Sequence, residues 1–198
     1  MTQQAPPPSA RQTELLEGAY RYVLEHGLTD LSLRPLASAI GSSPRVLMFL
    51  FGNKDGLVRA LLARARADEV AVLDRLRPAG SEKPMGLLPA AERTWEWLSD
   101  SAHRALLRLW TEAYARSLVE PDGPWGGFAA ATVRDWLDVL AGCQPHDERD
   151  SPSAEVRRTV ALAVLRGGLL DLLATGDEAR VTAAVHHQLA SLRDHPTR

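Results

Sequence analysis

Ala37, Gly41 and Leu47 stand four and six positions apart within residues 32–51, and this spacing constrains the chain more than any other feature it carries. Two short helices that cross tightly need a small residue at the crossing, a glycine in the turn and an apolar residue locking the second helix onto the first. The three residues meet those needs in order, and Leu36, Ile40, Leu50 and Phe51 complete an apolar seal. The punctuation agrees. Ser32 is placed to cap the first short helix and Ser43 the second, with Pro44 at the first helical position, where its missing amide proton costs little. The expected unit is a helix-turn-helix, which holds its second helix outward, where it can enter the major groove of DNA.

The rest of the chain reads as helix. Ala and Leu together number 60 of the 198 residues against 14 for Val and Ile, a balance that favours helices over strands and makes an all-α protein the expected class. Apolar periodicity predicts a first helix from Arg11 to His26, then 33–40, 44–51 and a long helix from Lys54 to Arg77. Five more follow over about 87–99, 102–118, 125–141, 153–174 and 178–193, broken by polar, Gly- or Pro-rich segments such as 78–86 and 144–153. The expected organisation is a mobile arm over 1–10, a DNA-binding domain over 11–53 and a second helical domain over 54–198.

Several classes of function are excluded or disfavoured by what the chain contains. The single cysteine, Cys143, cannot form an intrachain disulfide, and neither a membrane span nor a signal sequence is legible, so a soluble cytoplasmic protein is expected. The formal charge of −2 argues against a uniformly basic nucleic-acid binder but leaves room for a local patch. Arg45, Lys54, Arg59, Arg64 and Arg66 oppose only Asp55 between residues 44 and 66. No nucleophile elbow, phosphate loop, dinucleotide fingerprint or zinc-protease motif occurs, and adjacent His186 and His187 point about 100° apart on a helix, poorly placed to share a metal. No catalytic residue, metal or cofactor is expected.

His26-Gly27, Ser32-Leu33-Arg34, the Ala37-to-Gly41 turn, Phe51 and Asn53-Lys54-Asp55-Gly56-Leu57 together resemble the TetR family of bacterial transcriptional repressors. The resemblance covers roughly residues 11–62; beyond them the chain matches in layout, with length for the family's six-helix ligand-binding and dimerisation domain. It implies a homodimer that binds a double-stranded DNA operator and is released by a small-molecule effector. One departure is clear. Met48 stands where the family usually carries a phosphate-contacting tyrosine, and Leu50 stands at the following aromatic or histidine position.

Within this frame the candidate DNA-contacting residues are Ser32, Arg34, Ser43, Pro44, Arg45, Met48, Phe49 and Lys54. Arg45 can reach guanine O6 and N7 with two hydrogen bonds, and Met48 and Phe49 can meet thymine methyl groups. Ser32, Ser43 and Lys54 sit at helix starts, where side chain and backbone N–H groups can hold phosphate oxygens.

All five tryptophans fall between residues 95 and 136, so an aromatic-lined pocket for an apolar or aromatic effector is expected there. Its candidate lining is Trp95, His103, Trp110, Tyr114, Trp125, Phe128 and Trp136, with Arg93 and Cys143 as further polar groups. The last two helices are expected to build a four-helix dimer interface from Ala161, Ala163, Gly167 and Gly168 with the leucines at 162, 165, 169, 172 and 173. The competing reading is a helical small-molecule-binding protein or enzyme that keeps the fold without binding an operator.

Overall fold

The structure, a computed structural model, describes residues 9–76, 84–147 and 149–193. These form nine α-helices and no strand: α1 (Ala10–His26), α2 (Leu33–Ala39), α3 (Pro44–Phe51), α4 (Lys54–Leu76), α5 (Leu87–Ser99), α6 (Arg104–Val119), α7 (Phe128–Cys143), α8 (Pro152–Thr175) and α9 (Glu178–Ala190). Short 3-10 turns precede α6 and follow α9. The expected end of α4 at Arg77, residues 78–83 of the first linker and most of the N-terminal arm lie outside the described residues. Ser9 and Ala10 belong to the first helix rather than to an arm, because the Ser9 hydroxyl accepts from the Gln12 amide at 3.2 Å and caps it.

The turn between α2 and α3 closes as the glycine demands. Gly41 takes φ +63°, the Ser42 amide donates to the Ala37 carbonyl at 2.8 Å, and the Gly41 amide donates to Ser38 at 3.3 Å. This paired closure is how a helix ends on a left-handed residue. Leu36, Ala37 and Leu47 are buried, joined by Leu15, Ala19 and Tyr20 of α1 and by Leu57 and Leu61 of α4.

The helix expected to begin at residue 125 begins instead at Phe128. Residues 120–127 fold into successive tight turns, with Gly123 donating to the Glu120 carbonyl, Gly126 to Gly123 and Phe128 to Trp125, each at 3.1 Å. A Cβ on Gly126 would lie 2.4 Å from the Pro121 carbonyl oxygen, and Gly127 has φ +77°. Both are steric conditions that helical periodicity does not register.

The C-terminal half packs α8 against α9 and α5, with α7 between α4, α6 and α8. Gly168 is the close-approach point: a Cβ there would sit 2.6 Å from Val185 and 3.0 Å from the Trp95 ring. Trp95 is fully buried in that crossing and donates from Nε1 to Thr182 Oγ1 at 3.1 Å. Leu162, Leu165 and Leu172 are likewise buried within the chain's own core, which corrects the expectation that they face a second subunit. The outward stripe of α8 is smaller and milder: Val156, Ala163, Gly167 and Leu170 are exposed at helical spacing.

Two connections join the halves. Through α4, Arg64 Nε donates to Glu17 of α1 at 2.6 Å and pairs with Asp68, while the Tyr20 hydroxyl donates to Asp68 at 2.8 Å. Through α6, Glu112 holds the loop after α1: the Leu28 amide donates to both carboxylate oxygens, at 3.1 and 3.0 Å, and Thr29 donates its hydroxyl to the same group. No described helix is long and apolar enough to cross a membrane.

Candidate nucleic-acid interface and interior cavity

On α3 the buried anchor is Leu47, and the opposite side presents Arg45, Met48 and Phe49. Positions i, i+3 and i+4 share one face of a helix, so these three form a single outward surface. Phe49 is 86% exposed, which leaves it no role in the core of this chain. Ser43 caps α3 by accepting from the Val46 amide at 3.3 Å, and Pro44 occupies the first turn. Arg34 and Lys54 are exposed at the starts of α2 and α4. Ser32 occupies the cap position of α2, but its side chain makes no capping bond.

The basic patch is narrower than the charge count of residues 44–66 suggests. Arg64 is engaged with Glu17 and Asp68, and Arg66 pairs with Asp135 of α7 at 2.6 Å. The outward cations are Arg34, Arg45, Lys54 and Arg59, and no acidic residue occurs between Leu31 and Lys54.

The junction of α3 and α4 is tight. Asn53 accepts from the Gly56 amide at 2.7 Å and caps α4. A Cβ at Gly56 would fall 2.0 Å from the Phe51 carbonyl oxygen, so the glycine sets how closely the end of α3 approaches the long helix.

A cavity of about 110 Å³ lies among α4, α5, α6, α7 and α8. Of the seven candidate lining residues, Trp110, Tyr114 and Trp136 are brought together on its wall, with Leu98, Leu162 and Leu165. Trp95, His103, Trp125 and Phe128 lie outside its lining. Trp95 is held by the α8–α9 crossing, and Trp125 and Phe128 are buried where the 120–127 turns meet α7. His103 stacks on Trp97 at 4.1 Å beside a surface groove, which Arg93 also borders. Cys143 is buried at the end of α7, away from the lining.

The polar groups of the cavity come mainly from residues outside that candidate set. Glu69 is buried, accepting from Trp136 Nε1 at 2.7 Å and from Thr132 Oγ1 at 3.3 Å. Burial raises its carboxyl above the ordinary range, partly opposed by those two hydrogen bonds. Arg166 of α8 lies over the Tyr114 ring, 5.0 Å from its centroid, and donates from Nη1 to the Tyr114 hydroxyl at 3.4 Å. Burial lowers its affinity for its proton. Both charged residues interrupt apolar stripes, Glu69 between Ala65 and Val72 and Arg166 between Leu162 and Leu169. An ion on a core-facing stripe is the signal that sequence reading could have used to find them.

The described residues thus form a three-helix head that presents α3 outward, joined through α4 to a helical body with a cavity. The chain has the TetR-family fold: a TetR-family transcriptional regulator from Rhodococcus sp. superposes with a TM-score of 0.73 at 16% identity, over 93% of this chain and 99% of that one. The multidrug binding protein EbrR, in a crystal structure with imidazole, matches with a TM-score of 0.67 and 26% identity, over 95% of this chain and 92% of the other. In sequence, the HTH-type transcriptional repressor AcnR of Corynebacterium efficiens is 37% identical over 94 residues. That match covers 47% of each protein, so the chain spans about half the length of the curated relative. No protein-family model matches the chain.

Proposed function

We propose that this protein is a dimeric, ligand-responsive transcriptional repressor that binds a palindromic operator through α3 and releases it when an effector occupies the interior cavity. The observation that carries the reading is the outward face of α3: Arg45, Met48 and an 86% exposed Phe49 on a helix anchored by Leu47. The names of AcnR, a repressor, and EbrR, a multidrug binding protein, support the two halves of the proposal.

The mechanism follows from the two connections. Trp110, Thr111 and Tyr114 of α6 line the cavity, and Glu112 of the same helix grips the loop that leads into α2. Trp110 also donates from Nε1 to the Ala65 carbonyl of α4 at 3.3 Å. A ligand that moves α6 therefore works on the DNA-reading head from two sides. It favours a state in which the two recognition helices of the dimer no longer match successive major grooves. The dimer is assigned to the exposed α8 stripe of Val156, Ala163, Gly167 and Leu170, where small residues allow close backbone approach.

The test is a footprint on the DNA upstream of the protein's own gene. A palindromic protected site is expected. Arg45→Ala should relax preference at one base pair per half-site, by about 1–3 kcal/mol. Lys54→Ala should weaken binding to all sequences alike and reduce the salt slope by about one phosphate's worth. Absence of any defined site, at low as well as moderate salt, would favour a binding protein that keeps the fold without an operator, the reading that Met48 at the usual tyrosine position supports.

A further inference from the structure

The cavity's hydrogen-bonding groups are unevenly used. Both oxygens of Glu69 already accept a donor from α7. The threonine hydroxyls of the lining are also committed: Thr94 donates to the Ala90 carbonyl and Thr111 to the Leu107 carbonyl, each at 2.8 Å. Arg166 is different. Its Nη2 is buried and has no hydrogen-bond partner among the described residues. The Tyr114 hydroxyl accepts from Arg166 Nη1, which leaves its own proton to donate. The unused donors of the site are thus one guanidinium nitrogen and one phenol, set beside the leucines and tryptophans of the wall.

Arg166 is half-buried, and the oxygens of Glu69, the carboxylate in the same lining, accept from Trp136 and Thr132, so Nη2 is left with a hydrogen to give. Such a group is retained most simply where something else supplies the acceptor. A carboxylate can take one hydrogen bond from Nη2 and one from the Tyr114 hydroxyl, and its charge opposes that of the guanidinium. The volume of about 110 Å³ is of the order of the ~150 Å³ apolar cavity known to admit benzene, so the body attached to that carboxylate is about one ring in size.

We infer that the effector is a small organic monoanion, a carboxylate on a compact aromatic or branched apolar body, whose carboxylate is held by Arg166 Nη2 and the Tyr114 hydroxyl while its body lies against Trp110, Leu162 and Leu165. This rests on the cavity being the effector site. It makes Arg166 and Tyr114 the residues that select anion over neutral molecule or cation.

Three one-ring probes that differ in charge, benzoate, benzyl alcohol and benzylamine, test this on the full chain without DNA, by calorimetry and tryptophan quenching. Benzoate is expected to bind at least about tenfold more tightly than benzyl alcohol, a difference of about 1.4 kcal/mol, and benzylamine more weakly still. Arg166→Met should remove the preference for benzoate while leaving benzyl alcohol affinity within about threefold, with helical content and cooperative thermal unfolding checking that the variant is folded. Tyr114→Phe, which deletes only the hydroxyl, reads the same preference in a second background and should reduce it in part.

Equal binding of the three probes, no binding of any, preference for benzylamine, or full benzoate affinity in Arg166→Met would each overturn the assignment. The operator footprint is measured separately. If benzoate binds through Arg166 but leaves the operator occupied, the anion site stands and the repressor mechanism falls.

Discussion

Glu112 of α6 receives the Leu28 amide on both of its carboxylate oxygens, at 3.1 and 3.0 Å, across 84 residues of sequence. Gly27 makes the approach feasible, with φ +79° and a position where a Cβ would lie 3.2 Å from Glu112 Oε2. A carboxylate from the cavity-lining helix thereby closes the end of α1 and fixes the loop before the helix-turn-helix. The same helix turn carries Thr111 and Tyr114 on the cavity side. Glu112→Ala should cost about 1.5–3 kcal/mol, the range for hydrogen bonds to a charged group. For a chain of this size that lowers the melting temperature by roughly 3–12 °C. It should also weaken the effector's influence on operator binding more than it weakens effector binding itself. Thermal unfolding and operator titrations with and without ligand separate the two effects.

Gly56→Ala should disturb DNA binding without touching DNA. The added methyl would meet the Phe51 carbonyl at 2.0 Å, and a backbone oxygen cannot rotate away. The helix-propensity gain of about 1 kcal/mol is outweighed by overpacking, typically about 1–3 kcal/mol. The expected result is a lower melting temperature with operator affinity reduced at every salt concentration, since α3 must tilt away from α4. Wild-type affinity in this variant would show that the angle of α3 is not set there.

Ala163→Glu places a charge on the exposed α8 stripe, beside Gly167, where an added Cβ meets nothing within 4 Å in one chain. If that stripe is the dimer face, light scattering at micromolar concentration should change from dimer to monomer while helical content is unchanged. Operator affinity should fall with it, because a palindrome rewards two linked half-sites. An unaltered dimer would assign the interface elsewhere.

The pH dependence of Glu69 has a definite sign. Burial raises its carboxyl above the ordinary value of 4.5, so the folded state holds this proton more tightly than the unfolded one. Its contribution to stability is full below 4.5 and is lost as the pH rises through the raised value. Glu69→Gln keeps a carbonyl oxygen for Trp136 Nε1 and removes the titration. The melting temperature of the variant relative to wild type should therefore increase as pH rises above about 4.5 and through the raised value. A difference that is constant with pH would mean that Glu69 is not destabilised by burial.

What was legible in the sequence was what short-range sterics control. Ala37, Gly41 and Leu47, the caps at Ser43 and Asn53 and the apolar period located eight of the nine helices closely, because helix starts, stops and faces depend on neighbours within a few residues. The start of α7 was displaced by Gly126, which Pro121 and Gly123 crowd, and by Gly127, which is held at φ +77°. Tryptophan clustering pointed to the correct region for a cavity but not to its wall. Trp110 and Trp136 face it, while Trp95 is committed to Thr182 and Gly168.

By itself, then, the sequence determined an all-helical chain with a helix-turn-helix that turns Arg45 and Phe49 outward. Tertiary structure decided the rest. It chose Glu69 and Arg166 as the charged groups inside the cavity, withdrew Arg64 and Arg66 from the basic patch, and turned Leu162, Leu165 and Leu172 inward rather than toward a second subunit. Periodicity records which face of a helix is apolar, but not what that face meets. Only the packing of α4, α6, α7 and α8 decides whether a charge on such a stripe is paired, exposed or left facing a cavity.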